Sequence, residues 1–181
     1  MKKLILINYL VLFITLSWGK TMADQNERVI HCEVTVNAGI EEVYNTWTTK
    51  EGLQTFFAPE CEVGLKLFGP YHIHFFPENP VGSKGAEDEI VISYEKNKML
   101  SFTWGFPPSL MDLRKNQKTI VMIRFTEVGY NKTKIDFTQS GWGEGEDWSK
   151  GYEYFEKAWK EVVFPRLVER FEKGPVDWAK K

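Results

Sequence analysis

The chain has 181 residues, with 23 basic and 25 acidic side chains and a formal net charge of −2. That length suits one domain with a sizeable core, and two cysteines are too few for a disulfide framework. The acidic balance argues against nucleic-acid or anionic-membrane surfaces. There is no internal repeat, low-complexity segment or long run of like charge.

Residues 1–23 read as an export leader. Lys2 and Lys3 supply a positive start, and Leu4 to Leu16 is an apolar run, short and interrupted by Asn8. Thr21-Met22-Ala23 suits a cleavage site, with Ser17-Trp18-Gly19 as a second choice; an uncleaved anchor is the alternative. Loss of Lys2, Lys3 and Lys20 leaves 20 basic against 25 acidic residues over 24–181. The expectation is an exported protein, periplasmic or secreted, with no membrane insertion once the leader is gone.

Arg28 to Asn37 alternates, with Ile30, Cys32, Val34 and Val36 facing one way and His31, Glu33 and Thr35 the other. This is a half-buried strand. Two short helices follow, over Ile40 to Thr48 and Leu53 to Phe57. Six strands in hairpins come next: Cys61–Phe68 with Tyr71–Phe76, Glu89–Glu95 with Met99–Gly105, and Thr119–Val128 with Lys132–Gly141. Ser101 and Thr103 fall on the expected wet face of their strand. A loop with a Pro-Pro pair spans Gly105 to Gln117.

The last element is the longest. From Glu146 to Lys173, Trp148, Tyr152, Phe155, Trp159, Val162, Val163, Leu167 and Phe171 recur at spacings of three and four. This predicts one helix of about 42 Å, ended by Gly174-Pro175 and kinked at Pro165, which offers no N–H to the carbonyl of Glu161. Each strand carries one apolar face, and only this helix is long enough to cover it. The predicted fold is α+β: a curved antiparallel seven-stranded sheet wrapped around a long C-terminal helix, with two short helices after the first strand.

The stretches WTTKEGLQTFFAPECEV (47–63), GPYHIHFFP (69–77), LSFTWGFPP (100–108) and QSGWGEGEDW (139–148) resemble one family. It is named for the C-terminal domain of the activator of the ninety-kilodalton heat-shock-protein ATPase and lies within the START-like (SRPBCC) superfamily. The resemblance covers about Glu27 to Lys173 and implies the helix-grip (START/Bet v-like) fold over residues 24–181. It also implies a hydrophobic cavity between sheet and helix. Cochaperone activity is not carried over, because the eukaryotic cochaperone has a further N-terminal domain and an export leader removes the chain from cytosolic chaperones.

No His-Glu-x-x-His, Gly-x-Ser-x-Gly or Cys-x-x-Cys signature is present. The run from Gly141 to Glu146 falls short of a phosphate loop, because Glu146 stands where the third glycine belongs and Glu144 and Asp147 repel phosphate. His72 and His74 share a strand face, but two imidazoles need a third ligand; His31 and Glu33 supply one only if the strand faces meet. No metal or cofactor is expected. Asn131-Lys132-Thr133 is a glycosylation sequon whose meaning depends on the organism. Cys32 and Cys61 are expected as free thiols, with a disulfide between them the alternative that an exported chain allows.

The first functional expectation is a module binding a small apolar ligand. Its liners are Val34, Val36, Phe57, Tyr71, Ile73, Phe75, Phe102, Trp104, Phe137, Trp148, Tyr152, Phe155 and Trp159. Phe106 and Leu110 are expected in a lid, replaceable with little effect on stability. Tyr71, Tyr94, Gln139 and Tyr152 are candidate polar groups inside, and no residue is marked as a catalytic acid or base. A cyclase- or hydrolase-type enzyme using the same cavity is the second reading, and a protein-interaction module without a ligand the third.

Overall fold

The structure, a computed structural model, describes residues 27–180; the leader assigned to 1–23 lies outside them. Among the described residues, no helix is long and apolar enough to cross a membrane. The elements are β1 (Ile30–Val36), α1 (Ile40–Thr48), α2 (Lys50–Gln54), β2 (Glu60–Val63), β3 (Tyr71–His74), β4 (Gly85–Ala86), β5 (Val91–Glu95) and β6 (Met99–Trp104). Then come α3 (Met111–Asn116), β7 (Thr119–Gly129), β8 (Lys132–Ser140), α4 (Glu146–Ala158), a π-helical turn (Trp159–Val163) and α5 (Phe164–Lys173).

The predicted seven-stranded sheet is divided. One sheet has five strands in the order β1-β8-β7-β6-β5, the other three in the order β2-β3-β4. All pairings are antiparallel. The two sheets meet where Tyr71 N–H donates to Glu89 C=O at 2.8 Å and Val91 N–H to Gly69 C=O at 2.9 Å. The division arises because the first hairpin is shorter than its apolar run. Its strands stop at Val63 and restart at Tyr71, and Leu67 and Phe68 turn outward into solvent. The extra strand β4 is only two residues, Gly85 and Ala86.

Alternation in the sequence becomes burial. Ile30, Cys32 and Val36 of β1, Val121, Ile123 and Phe125 of β7, and Ile135 and Phe137 of β8 are buried. Strand β6 departs from the pattern, since Ser101 and Thr103, expected in water, are buried too. Thr103 is satisfied there: its hydroxyl donates to Glu89 Oε2 at 2.8 Å and accepts from Ile90 N–H at 3.0 Å. Thr49 separates the two short helices, and its hydroxyl accepts from Gly52 N–H at 3.0 Å as a cap on α2.

The C-terminal helix covers the concave face, and its disturbance is a change of winding. The N–H of Phe164 bonds to the carbonyl of Trp159, five residues back. A turn widened in this way precedes Pro165, where an ordinary backbone bond has no donor. Gly174, at φ 102°, ends the helix. The tail then returns to the short helices, with Val176 N–H on Thr55 C=O at 2.8 Å and Trp178 Nε1–H on Gln54 C=O at 2.6 Å.

Trp159 sits at the widened turn, buried against Phe137, Trp104 and Phe57 at ring-centroid distances of 4.5, 5.2 and 5.6 Å. Its Nε1–H donates to Gln139 Oε1 at 2.7 Å. Gln139 Nε2–H donates to Thr119 Oγ1 at 2.8 Å, and Thr119 donates to the carbonyl of Trp104 at 2.9 Å. We expect Trp159→Ala to cost about 3–5 kcal/mol as a large-to-small core change. Gln139→Leu, which strands the indole N–H, should cost about 1–3 kcal/mol. Urea denaturation measures both; a Gln139→Leu protein as stable as the wild type would show that the chain of hydrogen bonds contributes nothing.

Candidate functional site

The expected liners come together, but mostly as packed core. Tyr71, Ile73, Phe102 and Phe137 are buried among one another, with the Tyr71 and Phe102 rings stacked at 4.1 Å. Val36 is also buried. Val34 is half-buried and lines an open groove along β1. Trp148 and Tyr152 are half-buried near the start of α4, Trp148 against Phe106 and Tyr152 against Trp142.

Two small cavities remain under the helix. One, of about 60 Å³, lies among Phe57, Phe75, Trp104, Phe155 and Trp159. The other, of about 110 Å³, lies outward of it, between Phe75, Trp104, Phe106 and Phe155, with Glu89 and Arg114 at its wall. Pockets for drug-sized ligands measure about 300–1,000 Å³. The difference decides against a sterol or polyketide in this conformation and leaves room of the order of one ring.

The polar groups at the cavity wall are already committed to partners. Glu89, 1% exposed, accepts from Thr103 Oγ1–H at 2.8 Å, Gly105 N–H at 3.0 Å and Lys118 Nζ at 2.8 Å. Arg114 donates to the carbonyls of Phe106 at 2.6 Å and Gly85 at 2.7 Å. It therefore clasps α3 to the preceding loop and to β4. Neither group was legible in the sequence, since no spacing distinguishes them from surface charges. Tyr71 Oη–H donates to the Trp47 carbonyl at 2.9 Å, and burial holds its hydroxyl well above the usual phenol range. Cys32 and Cys61 are free and buried, and burial pushes the Cys61 thiol up to about 12, so it is not a ready nucleophile. Tyr94, expected inside, is exposed. Tyr152 reaches the Val29 carbonyl, at 3.3 Å.

One of the rings that wall the cavities carries a donor without an acceptor. Among the described residues Trp104 Nε1 is buried without a hydrogen-bond partner, as are Trp47 Nε1 and Tyr44 Oη. Only Trp104 borders the cavities, and it walls both.

The two histidine sites of the sequence lie on different sheets. His72 and His74 share a face on β3, beside Glu62 and Glu60 at 3.2 and 3.3 Å. His31 and Glu33 stand on β1, in the other sheet, with Asp136. These three are paired already, His31 with Asp136 at 3.2 Å and Glu33 with Lys134 at 3.0 Å.

A family model described as Activator of Hsp90 ATPase homolog 1-like protein matches residues 37–172. The chain belongs to this family. No curated protein matches it in sequence. Among solved structures, a Mesorhizobium loti protein is similar at 17% identity and TM-score 0.63, over 82% of this chain and all of its own. The Aha1 dimer from Colwellia psychrerythraea is similar at 21% identity and TM-score 0.60, over 81% of this chain and 98% of its own. An Hsp90 activator from Plasmodium falciparum is similar at 17% identity and TM-score 0.59, over 82% of this chain and 97% of its own. At these identities the likeness is one of fold, and that fold is the helix-grip arrangement of this family.

Within the family fold, Phe106 is not a surface lid. It is 1% exposed, edge-on to Trp148 at 5.1 Å. Its ring lies over Gly151, where an added Cβ would stand 2.7 Å from it, so only glycine admits the ring. The sequence signal was ambiguous, because Gly105 and the Pro-Pro pair mark a loop whichever way the intervening ring points. Leu110, half-buried, packs beside it. We expect Phe106→Ala to destabilise by about 3–5 kcal/mol, against less than that for Leu110→Ala. Thermal melts check this, and equal melting temperatures for Phe106→Ala and wild type would return Phe106 to a surface lid.

Proposed function

We propose that the protein is a binding module for a small, largely apolar molecule carrying one hydrogen-bond acceptor. The ligand occupies the space beside Trp104 and enters past Phe106 and the α3 segment that Arg114 clasps. The observation that carries this reading is the Trp104 Nε1–H: it is buried without an acceptor in a ring that walls both cavities, which costs about 1–3 kcal/mol, and a ligand carbonyl relieves it once the ring turns its N–H toward the space. An enzymatic role is disfavoured because Glu89, Arg114 and Tyr71 are committed to other partners and general acid–base work needs a group free to exchange a proton with substrate.

The test is a pair of matched probes. Acetophenone and α-methylstyrene have nearly the same shape, but only the first accepts a hydrogen bond. Acetophenone should quench tryptophan fluorescence with about tenfold higher affinity, which is about 1.4 kcal/mol. Trp104→Phe should abolish the preference. If neither probe quenches fluorescence nor raises the melting temperature, the cavities are closed. The interaction-module reading then takes over, favoured by the exposed tip of Leu67 and Phe68, 60% and 71% accessible, with Phe68 at φ 59°.

We propose separately, from the sequence of residues 1–23, that the protein is exported. N-terminal sequencing of the protein recovered from its source should begin at Asp24 or near Lys20. Intact Met1 on a cytoplasmic protein would remove the export proposal while leaving the ligand proposal standing.

A further inference from the structure

Strand β1 is the edge of the five-stranded sheet, and the direction of its backbone groups follows from the pairing. Phe125 N–H bonds to Lys98 C=O, which makes these two directly opposed residues a hydrogen-bonded pair in the β6–β7 register. Antiparallel pairing alternates residue by residue. Hence Arg124, Met122 and Ile120 bond toward β8, and Ile135, Phe137 and Gln139 of β8 bond toward β1. Their partners are Val34, Cys32 and Ile30. His31, Glu33 and Thr35 therefore turn their N–H and C=O groups outward. Val29, in the same phase, already has its carbonyl bonded, to Tyr152. No described strand pairs with that edge.

Beside the edge runs an open groove of about 700 Å³, lined by Phe164, Pro165 and Val168 and flanked by Lys160, Glu169, Glu172 and Lys173. A strand added to β1 would lie along it, with alternate side chains over its apolar residues. Exposed edges of this kind are usually blunted or used. The occupant is indicated by the charges of β1 itself.

We propose that β1 pairs with β1 of a second copy, antiparallel about a two-fold axis at Cys32, joining the two large sheets into one. A two-fold axis perpendicular to the sheet must pass through a residue, because opposed side chains have to share a face. Each permitted register is thus defined by its central residue. Centring on Glu33 opposes two glutamates, centring on His31 opposes two histidines, and centring on Ile30 sets Glu33 against Glu27. Centring on Cys32 sets His31 against Glu33 of the second copy at both ends. The same register opposes Ile30 and Val34 on the inner face, above those apolar residues. It also makes His31 and Glu33 hydrogen-bonded partners through the groups they turn outward. Within one copy Glu33 stands opposite Asp136, with Lys134 as its cation; a histidine from the second copy adds a ring N–H donor. Cys32 would face Cys32 of the second copy in a non-hydrogen-bonded pair, with Cα atoms about 4.5 Å apart, within disulfide range.

Sedimentation of the purified protein should show a concentration-dependent dimer, and monomer at every soluble concentration would overturn the proposal. His31→Glu, which opposes glutamates at both ends, should weaken the dimer at least about tenfold, and adding Glu33→His should restore it. Failure to restore would overturn the register. Glu33→Pro removes an outward N–H, which an edge tolerates, and the exposed ion pair to Lys134, which contributes little. It should give a folded monomer with a near-native melting temperature; a Glu33→Pro dimer would overturn β1 as the interface. With Cys61 replaced by Ser, diamide should join Cys32 to Cys32 of the second copy. The disulfide forms as two thiols pass their hydrogens to the diazene, which is reduced to the hydrazine. A dimer that yields no such link would overturn the two-fold position.

Discussion

The hydrogen bond from the Trp159 indole to the Gln139 side chain is the point on which the packing turns. A glutamine amide inside an aromatic core is costly unless it is satisfied. Here its oxygen takes the indole N–H and its nitrogen gives to Thr119, whose own hydroxyl reaches the Trp104 carbonyl. One continuous polar thread thereby ties the C-terminal helix across β8 and β7 to β6. The thread sets both the height of the helix above the sheet and its rotation. Because Trp159 opens the π-helical turn, the extra backbone residue accommodates Pro165 at the same place that aims the indole.

That arrangement has a consequence for function. The rings that the superfamily resemblance assigned to a cavity fill most of the space instead. Phe57 stacks on Trp104 at 5.8 Å, and Phe56 on Phe57 at 5.4 Å. What is left is two small spaces of about 60 and 110 Å³. Their walls hold charged groups, but each is held by backbone or by an opposite charge. Saturation of this kind stabilises the structure and removes the free valence that proton transfer needs. On the proposed reading the apolar space beside Trp104 is the recognition element, and its size limits the class of molecule it admits.

The large sheet ends differently on its two sides. Past β5 the chain continues into the small sheet through main-chain bonds at Tyr71 and Val91. Past β1 there is a groove and a row of outward backbone groups. Curvature explains the contrast. The sheet wraps the helix, and on the β1 side the neighbour among the described residues is α5 instead of another strand. The contacts between α4 and β1 at Arg28–Ser149, 2.9 Å, and Val29–Tyr152 cover the start of the edge and leave His31 to Thr35 open.

The sequence by itself determined the elements and their apolar faces. The period of two in β1, β7 and β8 and the period of three and four in the last helix are local patterns, and one sheet with one greasy side requires one cover. The family was legible because its motifs are continuous local stretches, running through α1, α2, β2, β3 and β6 and the turn before α4. Tertiary structure alone decided how those faces meet. Whether Phe106 points to solvent or onto Gly151, and whether Thr103 is wet or bonded to Glu89, depends on distances between segments far apart in the chain. So does the division into two sheets, which follows from where hairpin bonds stop and not from where apolar residues stop. The volume left under the helix is the smallest of these differences. It is a residue of large packed volumes that nearly cancel, which no reading of single residues can supply.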